Sequence, residues 1–149
     1  MTTIRVANFA DRDHIVAFNQ AMALETEKLQ LNVARLQAGV EAVLADPEHG
    51  FYLVAEQEND IIACLMITFE WSDWRNAWWW WVQSVYVRPD CRGSGVYRDL
   101  YLHARSLSEG RNVCGFRLYV DHDNKAAQST YSALGMSEAR YRMFEHLND

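Results

Sequence analysis

Gln83-Ser84-Val85-Tyr86-Val87-Arg88-Pro89-Asp90-Cys91-Arg92-Gly93-Ser94-Gly95-Val96-Tyr97 reads as the end of a strand, a short turn, a glycine-flanked loop and the first turn of a helix. Glycines at such a junction permit positive φ and close backbone approach, and a helix N-terminus presents N–H groups that have no partner within the helix. Together these make an anion site suited to a phosphate or pyrophosphate. A P-loop would need a Gly-Lys-Ser/Thr ending, which is missing here. So are the three spaced glycines of a dinucleotide fingerprint.

Toward the N-terminus, the run Ala77 to Val87 carries Trp78, Trp79, Trp80, Trp81, Val82, Val85 and Val87 on both faces, which predicts a central strand. Ahead of it, Phe51 to Glu56 and Ile61 to Glu70 read as strands separated by a Glu58-Asn59-Asp60 turn. Earlier still, Thr3 to Ala7 alternates as a first strand. Asp11 stands as N-cap to a helix marked by Ile15, Phe18, Met22 and Leu29. A second helix is expected from about Asn32 to Leu44, stopping before Pro47.

Toward the C-terminus, Gly95 to about Ser108 predicts a helix with Leu100, Ala104 and Leu107 on one face. Val113 to Asp121 is expected as a strand. Asn124 to Leu134 is expected as a capped helix stopped by Gly135, and Ala139 to His146 as a last strand. The expectation is one domain, residues 1–149, in the order β-α-α-β-β-β-α-β-α-β.

With 149 residues, half of them hydrophobic, the chain can bury a proper core. Its net charge of −6 and lack of a basic run argue against nucleic acid as a partner. Positive charge is almost all arginine, Lys28 and Lys125 being the two lysines. Cys64, Cys91 and Cys114 are odd in number and show no Cys-x-x-Cys or Cys/His spacing, so neither disulfides nor a metal site is expected. No stretch has the apolar length of a membrane span, and the N-terminus lacks a signal-peptide pattern. These features predict a reduced, soluble, cytoplasmic protein.

A glycine pair before a helix also fits a plain tight connection, so the reading needs a second segment. Asn124-Lys125-Ala126-Ala127-Gln128-Ser129-Thr130-Tyr131, followed by Gly135-Met136, supplies it. In order and spacing the two segments resemble the GNAT superfamily of acyl-CoA-dependent N-acetyltransferases. Its pattern is Arg/Gln-x-x-Gly-x-Gly/Ala after the central strand, then Asn-x-x-Ala-x-x-x-Tyr leading to Gly-Phe. Arg92, Gly95, Asn124, Ala127, Tyr131 and Gly135 match. Met136 stands where an aromatic is commoner, and Tyr97 stands where a glycine or alanine is usual.

The resemblance covers nearly the whole chain and implies a single α/β (α+β) domain of GNAT type. Its central mixed, mostly antiparallel sheet would be flanked by about four helices. It also implies acetyl-CoA as acyl donor, with no metal and no membrane. The acceptor would be an amine, with the absence of an appended domain favouring a small molecule, and the assembly a homodimer. The backbone of Arg92, Gly93, Ser94, Gly95, Val96 and Tyr97, with Arg98, would hold the coenzyme pyrophosphate. Main-chain groups of Val85, Tyr86 and Val87 would pair with the pantetheine arm and polarise the thioester. Asn124 would contact that arm, and Tyr131 would protonate the leaving thiolate.

Several residues stay open between roles. Gln83 cannot act as a base. Glu70, Glu25 and Glu27 are carboxylates within reach in sequence, and a water relay serves equally, so no base is assigned. Trp71, Trp74 and Trp78 fit an aromatic wall for a cationic amine or plain packing, while Trp79, Trp80 and Trp81 are expected in the core. Cys91 has no histidine beside it to activate it. Tyr97 either turns away from the loop or crowds the pyrophosphate. A non-catalytic acyl-CoA-binding module is the rival to an enzyme.

Overall fold

Valine and tryptophan dominate Ala77 to Val87, and such side chains suit a pleated surface packed on both sides. In the computed structural model, which describes residues 1–148, this run is one strand, β4 (Ala77–Val87). The elements in order are β1 (Thr2–Val6), α1 (Arg12–Glu27), α2 (Val33–Ala45), β2 (Phe51–Gln57), β3 (Asp60–Ser72), β4, α3 (Val96–Ser108), β5 (Val113–Arg117) and α4 (Lys125–Ala133). The chain divides into two units, one of Met1–Leu118 and one beginning at Tyr119.

In the first unit the five strands lie in the order β1-β2-β3-β4-β5. The first four pair antiparallel, and β5 joins β4 in parallel. A parallel neighbour requires a crossover, which α3 provides. Leu65 lies opposite Val85 and Ile67 opposite Val82, so Met66 faces the two residues Gln83 and Ser84. This is a β-bulge in β4, which bends the strand and interrupts its pairing.

The helices divide between the faces of the sheet. Ile15, Phe18 and Val40 from α1 and α2 pack with Tyr52, Val54, Cys64 and Tyr86. On the other face Tyr101 of α3 meets Phe116 edge-on at 5.7 Å, and Phe116 meets Trp80 at 5.8 Å. Helix α3 buries Val96, Leu100, Tyr101 and Ala104, one stripe at helical spacing.

Local signals set the helix ends. Asn32 caps α2, its side chain accepting from the Arg35 N–H at 2.9 Å. Asp11 occupies the N-cap position of α1 but makes no side-chain cap there. Its carboxylate instead accepts from the Asn8 N–H at 2.8 Å, closing a capping box on the preceding turn of Phe9–Asp11, and pairs with Arg5 at 2.8 Å. Burial pushes the Asp11 carboxyl up, but hydrogen bonds from Arg5 and from the Asn8 N–H outweigh it, and its pKa lies below the ordinary value.

In the second unit, Asn124 accepts from the Ala127 N–H at 3.1 Å and starts α4. Gly135, at φ +91°, ends it. The Met136 N–H reaches the Tyr131 carbonyl at 3.1 Å and the Gly135 N–H the Ser132 carbonyl at 3.0 Å, the two bonds of a Schellman motif.

Two strand expectations change. β5 stops at Arg117 rather than Asp121. The final strand expected over Ala139 to His146 is not formed, since these residues carry no strand pairing and are exposed throughout. Alternation of Arg140 and Arg142 with Tyr141 and Met143 has the right period. Yet a strand exists through its partner's N–H and C=O groups and a buried face, and this segment has neither.

Candidate functional site

β5 meets β4 only at Trp78, Trp79, Trp80 and Trp81. Beyond Trp81, β4 runs on through Val82–Val87 with no strand beside it on that edge among the described residues. The Arg88 N–H donates to the Ile62 carbonyl at 2.9 Å, and Tyr86 lies opposite Cys64. Alternation therefore turns the peptide groups of Tyr86 toward β3 and those of Val85 and Val87 toward the open edge. Such an edge is a template for an extended polar chain. Tyr86 contributes its side chain instead, 8 % exposed and stacked on Phe18 at 5.2 Å.

The strand leads into a tight turn, Pro89–Cys91, and a loop that ends at the N-terminus of α3. Gly93 and Gly95 have φ +80° and +85°, conformations that cost little only for glycine. Gly95 is the N-cap, and its carbonyl accepts from the Asp99 N–H at 3.0 Å. The N–H groups of Val96, Tyr97 and Arg98 therefore lie in the turn that helix geometry leaves without internal partners. The Arg98 guanidinium lies beside Gly95, where an added Cβ would meet it at 3.6 Å. Ser94 Oγ donates to the Cys91 carbonyl at 2.7 Å, tightening the loop.

Two arginines brace this loop. Arg88 pairs with Asp60 and, at 2.7 Å, with Asp90, whose carboxyl its hydrogen bonds pull down to about 2. Arg92 donates through Nε to the Val87 carbonyl at 2.8 Å and through Nη2 to Glu25 at 2.9 Å, and it lies 5.3 Å from the Tyr86 ring centre. The Tyr86 hydroxyl donates to Glu25 at 3.2 Å, and burial, then Glu25, raises its pKa. Tyr97 stacks on Tyr101 at 6.3 Å with a 16° interplanar angle, so its ring lies along α3 with its neighbour one turn on.

On α4, Asn124 and Tyr131 lie two turns apart, Asn124 holding the cap. Burial raises the Tyr131 pKa, so its hydroxyl stays protonated well above neutrality.

Two of the three candidate bases are engaged, while Glu27 lies exposed at the end of α1. Glu25 serves Arg92 and Tyr86, while Glu70 accepts from Arg117 at 3.0 Å and from Trp81 Nε1 at 2.8 Å. Gln83 donates to Thr68 Oγ1 at 3.1 Å. Trp80 is in the core as expected, but Trp79 and Trp81 are only half-buried, because the face they occupy is not covered by α1 and α2. Trp71, Trp74 and Trp78 are exposed, with Trp71 and Trp78 edge-on at 4.9 Å. Sequence reasoning missed the Glu25–Arg92 tie and the setting of Trp79. Gly115 could have signalled the second, since an isolated glycine in a strand often marks a close approach. Among the described residues no group of three His, Cys, Asp or Glu side chains is placed to hold a metal, and no helix is long and apolar enough to cross a membrane.

A strand edge that runs into a helix N-terminus can hold an extended chain ending in a phosphate. Comparison with known proteins finds chains of the same fold. The family model described as Acetyltransferase (GNAT) family matches residues 10–136. A solved structure described as a "possible acetyltransferase", from Clostridium difficile 630, is 38 % identical, with a TM-score of 0.93 over 100 % of this chain and 99 % of that one. At the level of fold, the aminoglycoside N-acetyltransferase AAC(6')-Iy in complex with CoA is similar at TM-score 0.83 and 16 % identity, over 100 % of this chain and 96 % of that one. The ribosomal-protein-alanine N-acetyltransferase of Brucella melitensis biovar Abortus 2308 is similar at TM-score 0.81 and 14 % identity, over 100 % of both chains. Comparison with curated protein sequences gave no match.

Proposed function

Because the chain belongs to the acetyltransferase (GNAT) family, we propose that it transfers an acetyl group from acetyl-CoA to a primary amine, by direct attack in a ternary complex. The observation that carries this reading is the open edge of Val82–Val87 leading to the glycine loop and the N-terminus of α3. The pantetheine arm pairs with the edge groups of Val85 and Val87, as a further strand would. The pyrophosphate takes the N–H groups at the start of α3, with Arg98 beside it. The coenzyme complex of the aminoglycoside acetyltransferase supports the same donor.

The amine nitrogen attacks the thioester carbonyl carbon, and negative charge gathers on the carbonyl oxygen. An N–H fixed at the edge of β4 stabilises it without reorganising. The carbon–sulfur bond then breaks, and the Tyr131 hydroxyl gives its proton to the departing thiolate of coenzyme A. The nitrogen loses its extra proton to water, since Glu25 and Glu70 are held by Arg92 and Arg117. The acceptor is a small molecule.

Thiol release from acetyl-CoA against an amine library tests the reaction. With a productive acceptor, Tyr131→Phe should lower kcat by about a hundredfold while the Kd for acetyl-CoA by calorimetry stays unchanged. Full activity in that variant removes Tyr131 as the acid. Saturable coenzyme binding with no thiol release across the library would make the protein a non-catalytic acyl-CoA-binding module.

A further inference from the structure

The face of the sheet that carries Cys64, Met66 and Tyr86 is covered by α1 and α2 only over part of its length. Past the bulge, the same face presents Thr68 and Glu70 from β3, Trp79, Trp81 and Gln83 from β4, and Arg117 from β5. These residues form a built surface. Glu70 accepts from both Trp81 Nε1 and Arg117, and Arg117 lies 3.8 Å from the centre of the Trp79 ring. Arg75, from the β3–β4 turn, lies 5.1 Å from the same ring. Gly115 makes room for that ring, since a Cβ there would stand 2.6 Å from Trp79 Cζ3. The carboxylate of Asp73 in the same turn accepts from the Trp74 N–H.

We infer that this surface is the acceptor site and that it selects an amine carrying a carboxylate on a flat apolar body. The inference rests on the acetyl-transfer reading above. On the opposite face Val82 and Trp80 are buried, at 3 % and 4 % exposure, so an amine reaches the edge of β4 from the face where Glu70 and Arg117 are accessible. Two guanidiniums stand over one ring against the two carboxylates of Glu70 and Asp73; Arg117 is paired with Glu70, whereas among the described residues Arg75 makes no ion pair and is left to meet an anion. Arginine held over an aromatic ring keeps donors free for planar, bidentate contact with a carboxylate. Trp81 precedes Val85 by four residues, one of them the bulge, so its ring starts roughly 10 Å upstream of the transfer point. Amine and carboxylate should be separated by about that length, with the apolar body lying across Trp81 and Trp79.

Three matched acceptors test the inference in thiol-release assays: para-(aminobutyl)benzoate, its benzamide, and the para-(aminobutyl)benzylamine counterpart. The benzoate should show the highest kcat/KM, with its advantage over the benzamide residing in KM. In Arg117→Gln that advantage should shrink by about tenfold. Arg75→Gln, at an exposed turn, keeps the test readable should the first variant fold poorly, and it should shrink the advantage in the same direction. Equal or better use of the benzamide or the benzylamine by the wild type, or an advantage unchanged in both variants, overturns the inference. If such turnover occurs, acetyl transfer stands and only the acceptor class falls. Absence of acetyl-CoA binding in calorimetry would overturn the transfer reading itself, and this inference with it.

Discussion

Single residues account for the sharpest local constraints. Gly50, at φ +139°, leaves no room for a side chain, because an added Cβ would stand 2.2 Å from the Ile67 carbonyl oxygen. That neighbour is backbone in the centre of the sheet and cannot swing aside. Gly50→Ala should lower stability by about 2–4 kcal/mol in urea unfolding. Gly115→Ala meets a ring edge instead and should cost about 1–3 kcal/mol. Burial pushes the Cys64 thiol up to about 12, whereas Cys91 is partly exposed and Cys114 exposed. A thiol reagent at neutral pH should therefore label Cys114 and Cys91 and spare Cys64 until the protein unfolds, as mass spectrometry of labelled peptides would read. Gly93, Gly95, Asn124 and Gly135 were legible from the sequence, because turn and cap chemistry is local. The close approach at Gly115 was not, because Trp79 lies far from it in sequence and meets it only through β-pairing.

At the scale of elements, the junction of β1 with α1 depends on Asp11, which serves Arg5 and the Asn8 N–H at once. Its folded pKa is depressed, so its contribution is present above the unfolded carboxylate range and is lost as pH falls through the lower folded value. Asp11→Asn should therefore lower stability at pH 7 by about 2 kcal/mol and narrow the gap to wild type below about pH 4. Urea midpoints at the two pH values check it. A second junction joins α1 to the glycine loop through Glu25 and Arg92. Arg92→Ala should raise the Kd for acetyl-CoA by about fivefold, as calorimetry would measure, because the loop loses its tie to the Val87 carbonyl. The helices were readable from apolar spacing and from the caps Asn32 and Asn124. The sequence also marked β4 as a central strand. It did not reveal that β5 would leave β4 at Trp81, since register is decided by the partner strand.

At the scale of the molecule, a donor that binds only the folded chain should stabilise it. Acetyl-CoA at a hundredfold its Kd should add about 2.7 kcal/mol and raise Tm by about 5–10 °C. No change in Tm would speak against the coenzyme site. What the sequence determined by itself was the order of elements through α4, the family, and the residues of the glycine loop and of the Asn124–Tyr131 helix. Those follow from local propensity, capping and motif spacing, which act within a few turns of chain. The tertiary structure decided three things. It opened the edge at Val82–Val87 and turned Val85 and Val87, but not Tyr86, toward it. It settled Tyr97 against Tyr101. It also gathered Glu70, Arg75, Trp79 and Arg117 on the part of one sheet face that α1 and α2 do not cover. Each depends on which strand or helix lies beside which, and only packing of segments distant in sequence sets that.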